Sequence, residues 1–428
     1  MKTKSYDLKF EELQQYYLYS ALPQSSRLFI RDRAFEYRLS TQQFYEVVKC
    51  ERDLQMWGES TLEKWWEQLE SRPINKDQFI KQVREYVEKL RNQPPDYSNL
   101  VNSAPPEPSA RSIKEQATDR KIYGECPVAS EETVCCNLKT IDVVENCPLA
   151  CSYCSIQTFY SDNFVVEENL QEKLRQIPID PNRKYHFGTG QSSDSLIWGN
   201  RNGMLEDLIN FAHRHPNVLL EFKTKTDNVN ELLSLDLPRN IVVSWSLNTP
   251  TVVNKEEHFT ATLEKRLAAA KKVAEQGIPI AFHFHPIIYY DQWQTEYTGL
   301  VSKVKQLFNP SDVLFISMGT LTLIQPAIKR IRELGFPTKI LQFPLDRDPH
   351  GKITYPDELK IELYKTLYES FSDWQHKVYF YLCMEKASIW QKVFGYSYKS
   401  NTEFEADFLD HNFSKIEQNS SPIVKLYA

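Results

Sequence analysis

Cys147, Cys151 and Cys154 place three thiols within eight positions of a 428-residue chain that holds eight cysteines in all. The spacing C-x3-C-x2-C comes directly after the apolar run Thr140, Ile141, Asp142, Val143, Val144, so one loop at a strand end can send all three side chains toward a single centre. That is the geometry of a metal site. Three thiolates with no histidine or fourth cysteine beside them leave tetrahedral zinc one ligand short, whereas an iron-sulfur cluster can keep one iron open for a small molecule. The competing reading is a structural disulfide cluster, and an odd triplet in a cysteine-poor chain argues against it.

Thiols at a strand end need a scaffold of strands. From residue 138 onward, apolar β-branched runs at 140–144, 185–187, 218–222, 241–245, 278–284 and 313–316 alternate with helical patterns at 166–177, 204–213, 229–235, 263–276, 298–307 and 327–334. Strand-then-helix units of this kind predict a parallel sheet with right-handed crossovers, and Gly277 and Gly335 fall where helix C-caps are expected. Six units are too few for an eightfold barrel, and an open doubly wound sheet is the alternative. Either architecture puts chemistry at the strand C-terminal ends, where the cysteine loop lies.

The other predicted strand ends are polar. After the second comes Gly188, Thr189, Gly190, Gln191, Ser192, Ser193, Asp194, which lacks the third glycine of a dinucleotide fingerprint; its glycines predict close approach of backbone to a ligand. Lys223 and Lys225, Ser246 and Asn248, and His283 and His285 fall in pairs two residues apart, so alternation puts each pair on one face. Their convergence predicts a polar pocket. For the lysines the competing reading is a solvated edge, and for the histidines a satisfied place in the core.

Residues 1–93 read as a helical extension, with Trp65 and Trp66 at 61–69 and Phe79, Val83, Val87 and Leu90 at helical spacing in 77–91; the tryptophans read as core. Pro94, Pro95, Pro105, Pro106 and Pro108 mark a linker at 94–120, followed by a barrel at 121–345 and a C-terminal α/β segment at 346–428 completing the core. Cys126, Cys135 and Cys136 read as buried structural thiols, neighbouring ones pointing apart on a strand. The composition, 41% hydrophobic and 25% charged, is globular, no apolar run reaches a membrane span, and no signal core opens the chain, so a cytoplasmic location is expected. A net charge of -6 gives no support for a phosphate-binding surface, and residues 400–414 carry Glu403, Glu405, Asp407 and Asp410 with no lysine or arginine.

Six passages, read in order, resemble the spore photoproduct lyase family of radical S-adenosylmethionine (SAM) enzymes: TIDVVENCPLACSYCSIQT, FGTGQSSD, VSWSLNTP, LEKRLAAAKKVAEQG, FHFHPII followed by Trp293, and YLCMEKASIWQKVFG. The resemblance implies an α/β fold, a partial (β/α)6 TIM-type barrel, with the N-terminal helical extension outside it. It implies a 4Fe-4S cluster on Cys147, Cys151 and Cys154, and SAM contacts from Ser193, Lys225, Ser246 and Asn248, with Gln191 near the SAM amino group and Tyr153 near the adenine. A flavodoxin- or ferredoxin-type protein would donate the electron that cleaves SAM to a 5'-deoxyadenosyl radical, and DNA would be the substrate; the alternatives are the same chemistry on a nucleotide, RNA or peptide, and a non-catalytic iron-sulfur or partner-binding protein that keeps the fold. Two departures stand out. Gln191 occupies the place of the family's hydrogen-donating cysteine, and an amide N–H is too strong a bond for that task. Ser155 replaces a tyrosine beside the last cluster cysteine, so only Tyr153 of that pair is kept. Cys383 is the remaining thiol that could reach the site from the C-terminal segment.

Overall fold

A computed structural model describes residues 6–69, 73–101, 112–126, 133–160, 163–348 and 351–420. Its centre is an eight-stranded sheet in which β1 (Lys139–Ile141), β2 (Tyr185–Thr189), β3 (Val218–Thr224), β4 (Ile241–Ser246), β5 (Ile280–Ile287), β6 (Val313–Thr320) and β7 (Tyr379–Leu382) run parallel in sequential order. Tyr123–Glu125 lies antiparallel on the outer side of β1. Every residue of β4 and of β6 is buried, which is why these strands read as unbroken apolar runs: a parallel sheet covered by crossover helices has no wet face.

The sheet curls into a half-barrel. Thr133–Val134, just before β1, pairs antiparallel with Glu385–Lys386, just after β7, so a short ladder joins segments from the two ends of the parallel array. Helices pack outside it. Met204–Arg214 turns Met204, Leu205, Leu208, Ile209, Phe211 and Ala212 inward, and Leu263–Ala274 starts at Thr262, whose hydroxyl accepts from the Lys265 amide. Gly335 caps its helix in the left-handed region as expected; Gly277 lies two residues beyond the cap residue Glu275.

Three differences from the sequence reading have local causes. The pattern at 166–177 is a strand, Phe164–Glu167, followed by a short helix, Leu170–Arg175, because the β-branched Val165 and Val166 pair with Ile113–Gln116 on one side and Val144–Glu145 on the other. For the same reason the run 140–144 is shared between two sheets. The last parallel strand, β7, is the aromatic stretch YFYL, which supplies the curled sheet with a member beyond the six predicted.

The N-terminal helices include Gln24–Tyr37, Thr41–Trp57, Leu62–Glu67 and Lys76–Arg91. Ser40 and Asn75 each form a reciprocal capping box with the glutamine three residues on. Trp65 stacks on Tyr86 at 4.7 Å between centroids and Trp66 meets Phe79 edge-on at 5.2 Å, so both tryptophans are packing residues, though only partly buried. This unit grips the helix Gln325–Leu334: Arg332 forms a bidentate pair with Asp53 at 2.7 and 2.9 Å, and Arg52 donates to the carbonyls of Arg332 and Glu333. A Cβ on Gly335 would fall on the Arg52 guanidinium, so that glycine both ends the helix and makes room for the contact.

Within 94–120 the chain is more ordered than a linker. Tyr97 and Leu100 are buried and Ile113–Gln116 is a strand, while Pro105, Pro106 and Pro108 lie outside the described residues. No helix among the described residues is long and apolar enough to cross a membrane.

Candidate cofactor pocket at the barrel mouth

The cysteine loop leaves the end of β1 and is shaped by two residues in the left-handed region, Asn146 (φ 70°) and Ala150 (φ 48°). It is held along its length by the segment after β4. Cys151 forms an antiparallel bridge with Glu257, the Ser152 amide donates to the Glu256 carbonyl at 2.8 Å, and the Phe259 amide donates to the Leu149 carbonyl at 3.3 Å. Ser152 Oγ and His258 Nε2 add a hydrogen bond at 3.1 Å. These protein contacts hold the loop's shape.

Cys147, Cys151 and Cys154 line one cavity of about 230 Å³ at the strand C-terminal ends, together with Tyr153, Gln191, Ser193, Asp194, Lys223, Lys225, Ser246 and His285. Of the residues the resemblance assigns to the site, this gathers all but Asn248 and Cys383, and of the strand-end pairs it also leaves out His283. β4 ends at Ser246, so alternation does not carry on to Asn248. That side chain is fully buried, donates to the Pro286 carbonyl at 2.8 Å and accepts from the Tyr297 hydroxyl at 2.6 Å.

A buried charge network stands behind the rim. Lys225 Nζ lies 3.5 Å from Glu257 Oε1 and 5.6 Å from the centroid of the Tyr153 ring, and the Tyr153 hydroxyl donates to the same carboxylate. Arg266, with no exposed side chain, donates to Glu257 at 2.5 Å and to the Ser246 carbonyl at 2.9 Å. Burial alone would raise the Glu257 carboxyl; Arg266 and Lys225 outweigh it and hold the group down at about 2. Sequence reading missed this pair. Arg266 carried a signal, being a charged residue on the apolar face of its helix with Leu263, Leu267 and Ala270.

Asp194 is a second unread carboxylate. It accepts from Thr224 Oγ1 and from the amides of Lys225, Leu196 and Ile197, tying the loop after β2 to the end of β3; burial raises it. Ser193 lines the cavity while accepting from Trp198 Nε1 at 2.8 Å. Gly188, near the end of β2, and Gly190, in the loop after it, serve packing as much as ligand access. A Cβ on Gly188 would press on the Leu138 side chain, and one on Gly190 (φ 89°) would sit 2.8 Å from the Lys223 carbonyl oxygen.

Deeper in the barrel, Glu221 accepts from His186, His283 and Ser244, and His285 Nε2 pairs with Ser317 Oγ at 2.9 Å. Burial lowers His283 to about 4 and His285 well below its ordinary value, so both rings are neutral near pH 7. Both rings are hydrogen-bonded through Nε2, His283 Nδ1 stays buried without a partner among the described residues, and His285 also lines the cavity.

Cys383 is absent from the described residues lining the cavity. It sits past the end of β7, its amide donating to the Met318 carbonyl, in mutual electrostatic contact with Cys126, Cys135 and Lys223. Cys135 and Cys136 are buried, as expected, but lie beyond a strand: it stops at Val134, and Asn137 turns the chain at φ 53°. Cys135 is lowered to about 7, chiefly by the neighbouring Cys136 thiol.

The residues fit a cluster and a charged cofactor in kind. All three thiols of the loop are free. Burial pushes Cys147 up to about 12 and Cys151 well above the ordinary thiol value, and the neighbouring thiols add to both; a positive centre reverses such shifts. Among the described residues no His, Cys, Asp and Glu group is arranged for a single metal ion, so the fit rests on soft thiolates lining one cavity. Lys225, Ser193 and Gln191, lining the same cavity, offer the donors and acceptors an amino-acid headgroup requires.

A family model described as spore photoproduct lyase matches residues 136–369, more than half of the chain. The chain belongs to the spore photoproduct lyase family. Its radical SAM membership follows from that. The spore photoproduct lyase of Clostridium acetobutylicum is 24% identical over 181 residues, 41% of this chain and 54% of that one, so the match spans about half the relative's length. That of Bacillus subtilis strain 168 is 28% identical over 251 residues, 54% and 72% of the respective chains. Among solved structures, a spore photoproduct lyase complexed with dinucleoside spore photoproduct aligns with a TM-score of 0.56 at 23% identity, covering 63% of this chain and 82% of that one. A mutant with bound AdoMet and dinucleoside spore photoproduct aligns with a TM-score of 0.56 at 23% identity over 71% and 94%. These likenesses show the fold, the curled half-barrel of the radical SAM enzymes.

Proposed function

We propose that this chain is a radical SAM enzyme that acts on a photoproduct in DNA. The observation that carries the reading is the gathering of Cys147, Cys151 and Cys154 with Gln191, Ser193, Lys225 and Ser246 around one cavity at the strand ends. The three cysteines would hold a 4Fe-4S cluster, and Lys225, Ser193, Gln191 and Ser246 would hold SAM. When bound, that pair supplies a carbon radical able to abstract a hydrogen atom. The chain's own part is positional. Glu257, fixed by Arg266, holds Lys225 against the Tyr153 ring and takes the Tyr153 proton donor out of the cavity. The buried walls keep water and stray hydrogen donors away. A flavodoxin- or ferredoxin-type protein would supply the electron. Asn248 supports the site from behind through Tyr297 and Pro286.

The test is anaerobic reconstitution with iron, sulfide, reductant and SAM. A brown chromophore, 5'-deoxyadenosine and repair of spore-type photoproduct in irradiated DNA are expected. Cys147→Ala, Cys151→Ala and Cys154→Ala are each expected to lose all three. A colourless protein with zinc at the loop would overturn the reading. One observation favours a second substrate class: Gln191 lines the cavity where the family resemblance calls for a thiol. Formation of 5'-deoxyadenosine without photoproduct repair would move the assignment to another nucleotide, an RNA or a peptide.

A further inference from the structure

Lys223 and Lys225 both line the cavity, Lys223 within β3 and Lys225 just past its end. Their surroundings differ. Lys225 is engaged by Glu257, the His285 carbonyl and the Tyr153 ring. The Lys223 ammonium makes neither a hydrogen bond nor an ion pair among the described residues. The carboxylates near it are taken: Glu221 already accepts from His186, His283 and Ser244, and Asp194 accepts from Thr224 and three backbone amides. An ammonium partly withdrawn from water whose nearby carboxylates are engaged by other donors is costly, and an anion brought by a ligand lowers that cost.

Position separates this cation from the cofactor end. Lys225 lies against the cysteine-loop residue Tyr153; Lys223 sits one step deeper and is in electrostatic contact with Glu221 and Cys383. A headgroup held at Lys225 therefore leaves Lys223 for a second ligand. We propose that Lys223 forms an anion subsite in the barrel, which takes a phosphodiester group of the substrate while SAM occupies the Lys225 end. The subsite rests on the reading above and narrows it. It gives a chain with a net charge of -6 a local cation for a phosphate, where no basic surface is needed.

The experiment uses the full chain, reconstituted with cluster and SAM, titrated with a spore-type thymine photoproduct that keeps its bridging phosphate and with the dinucleoside that lacks it. The phosphate-bearing ligand is expected to bind about tenfold tighter, roughly 1.4 kcal/mol. Lys223→Met should erase that preference, Lys223→Arg should retain part of it, and SAM affinity in Lys223→Met should stay within about twofold, which also reports an intact cavity. A preference that survives Lys223→Met, no preference in the unaltered protein, or a tenfold loss of SAM affinity would each overturn the subsite. If the unaltered protein binds neither photoproduct, the substrate reading falls and inorganic phosphate decides: saturable binding abolished by Lys223→Met keeps the subsite, and absent or unchanged binding removes it.

Discussion

Gly190 shows how little freedom the floor of the cavity has. Its φ of 89° is strained for any side chain, and a Cβ would lie 2.7 Å from Ser195 Oγ and 2.8 Å from the Lys223 carbonyl oxygen. Gly190→Ala is expected to lower stability by about 1–3 kcal/mol, read as a shift in urea midpoint. Arg266 is a second such point. Arg266→Met leaves the Glu257 carboxylate buried without its main partner, with an expected loss of about 3–5 kcal/mol. The neutral buried histidines set a pH dependence. Their folded values lie below the unfolded one, so their contribution is whole above about pH 6.5 and is lost as pH falls toward 4, at about 1.4 kcal/mol per pH unit for each ring. His285→Asn should remove one ring's share of that slope in denaturation followed between pH 6.5 and 4.5. At this scale the thiols, Gln191, Ser193, Lys225 and Ser246 were legible because strand ends converge. Glu256 and Glu257 were not, since two adjacent carboxylates after a short helix read as surface until the loop they clamp is seen above them.

The parallel strands were legible as elements because burial on both faces leaves a continuous apolar signature, and the cysteine loop was correctly tied to the end of the first of them. What escaped was segmentation. The stretch 140–144 and the pattern at 166–177 each serve an added three-stranded sheet whose partners lie far off in sequence, and period alone cannot report a partner. β7 escaped because its four residues are too few to establish a period. Helix ends were better marked. Ser40 accepts from the Gln43 amide at 3.2 Å while its own amide donates to Gln43 Oε1 at 2.9 Å. Ser40→Ala is expected to cost about 1 kcal/mol, measured by thermal or urea unfolding, with no change in iron or SAM binding.

Across the whole molecule, the helical unit and the barrel share buried polar contacts as well as apolar ones. Beyond the Asp53 and Arg332 pair, Lys339 reaches Glu59 at 2.8 Å, and the stretch after the helices is tied in through Tyr97, whose hydroxyl donates to Glu256 at 2.7 Å. Glu256 also accepts from Thr338 and the Lys339 amide, and burial raises its carboxyl. Tyr97→Phe should cost about 1–3 kcal/mol, because a buried acceptor loses a donor. The backbone carbonyl of the same Glu256 receives the Ser152 amide, so the chain's front portion braces the cysteine loop at one remove. Shortening the protein from that end would withdraw the brace, and the earliest sign would be iron leaking from chains that are otherwise still folded.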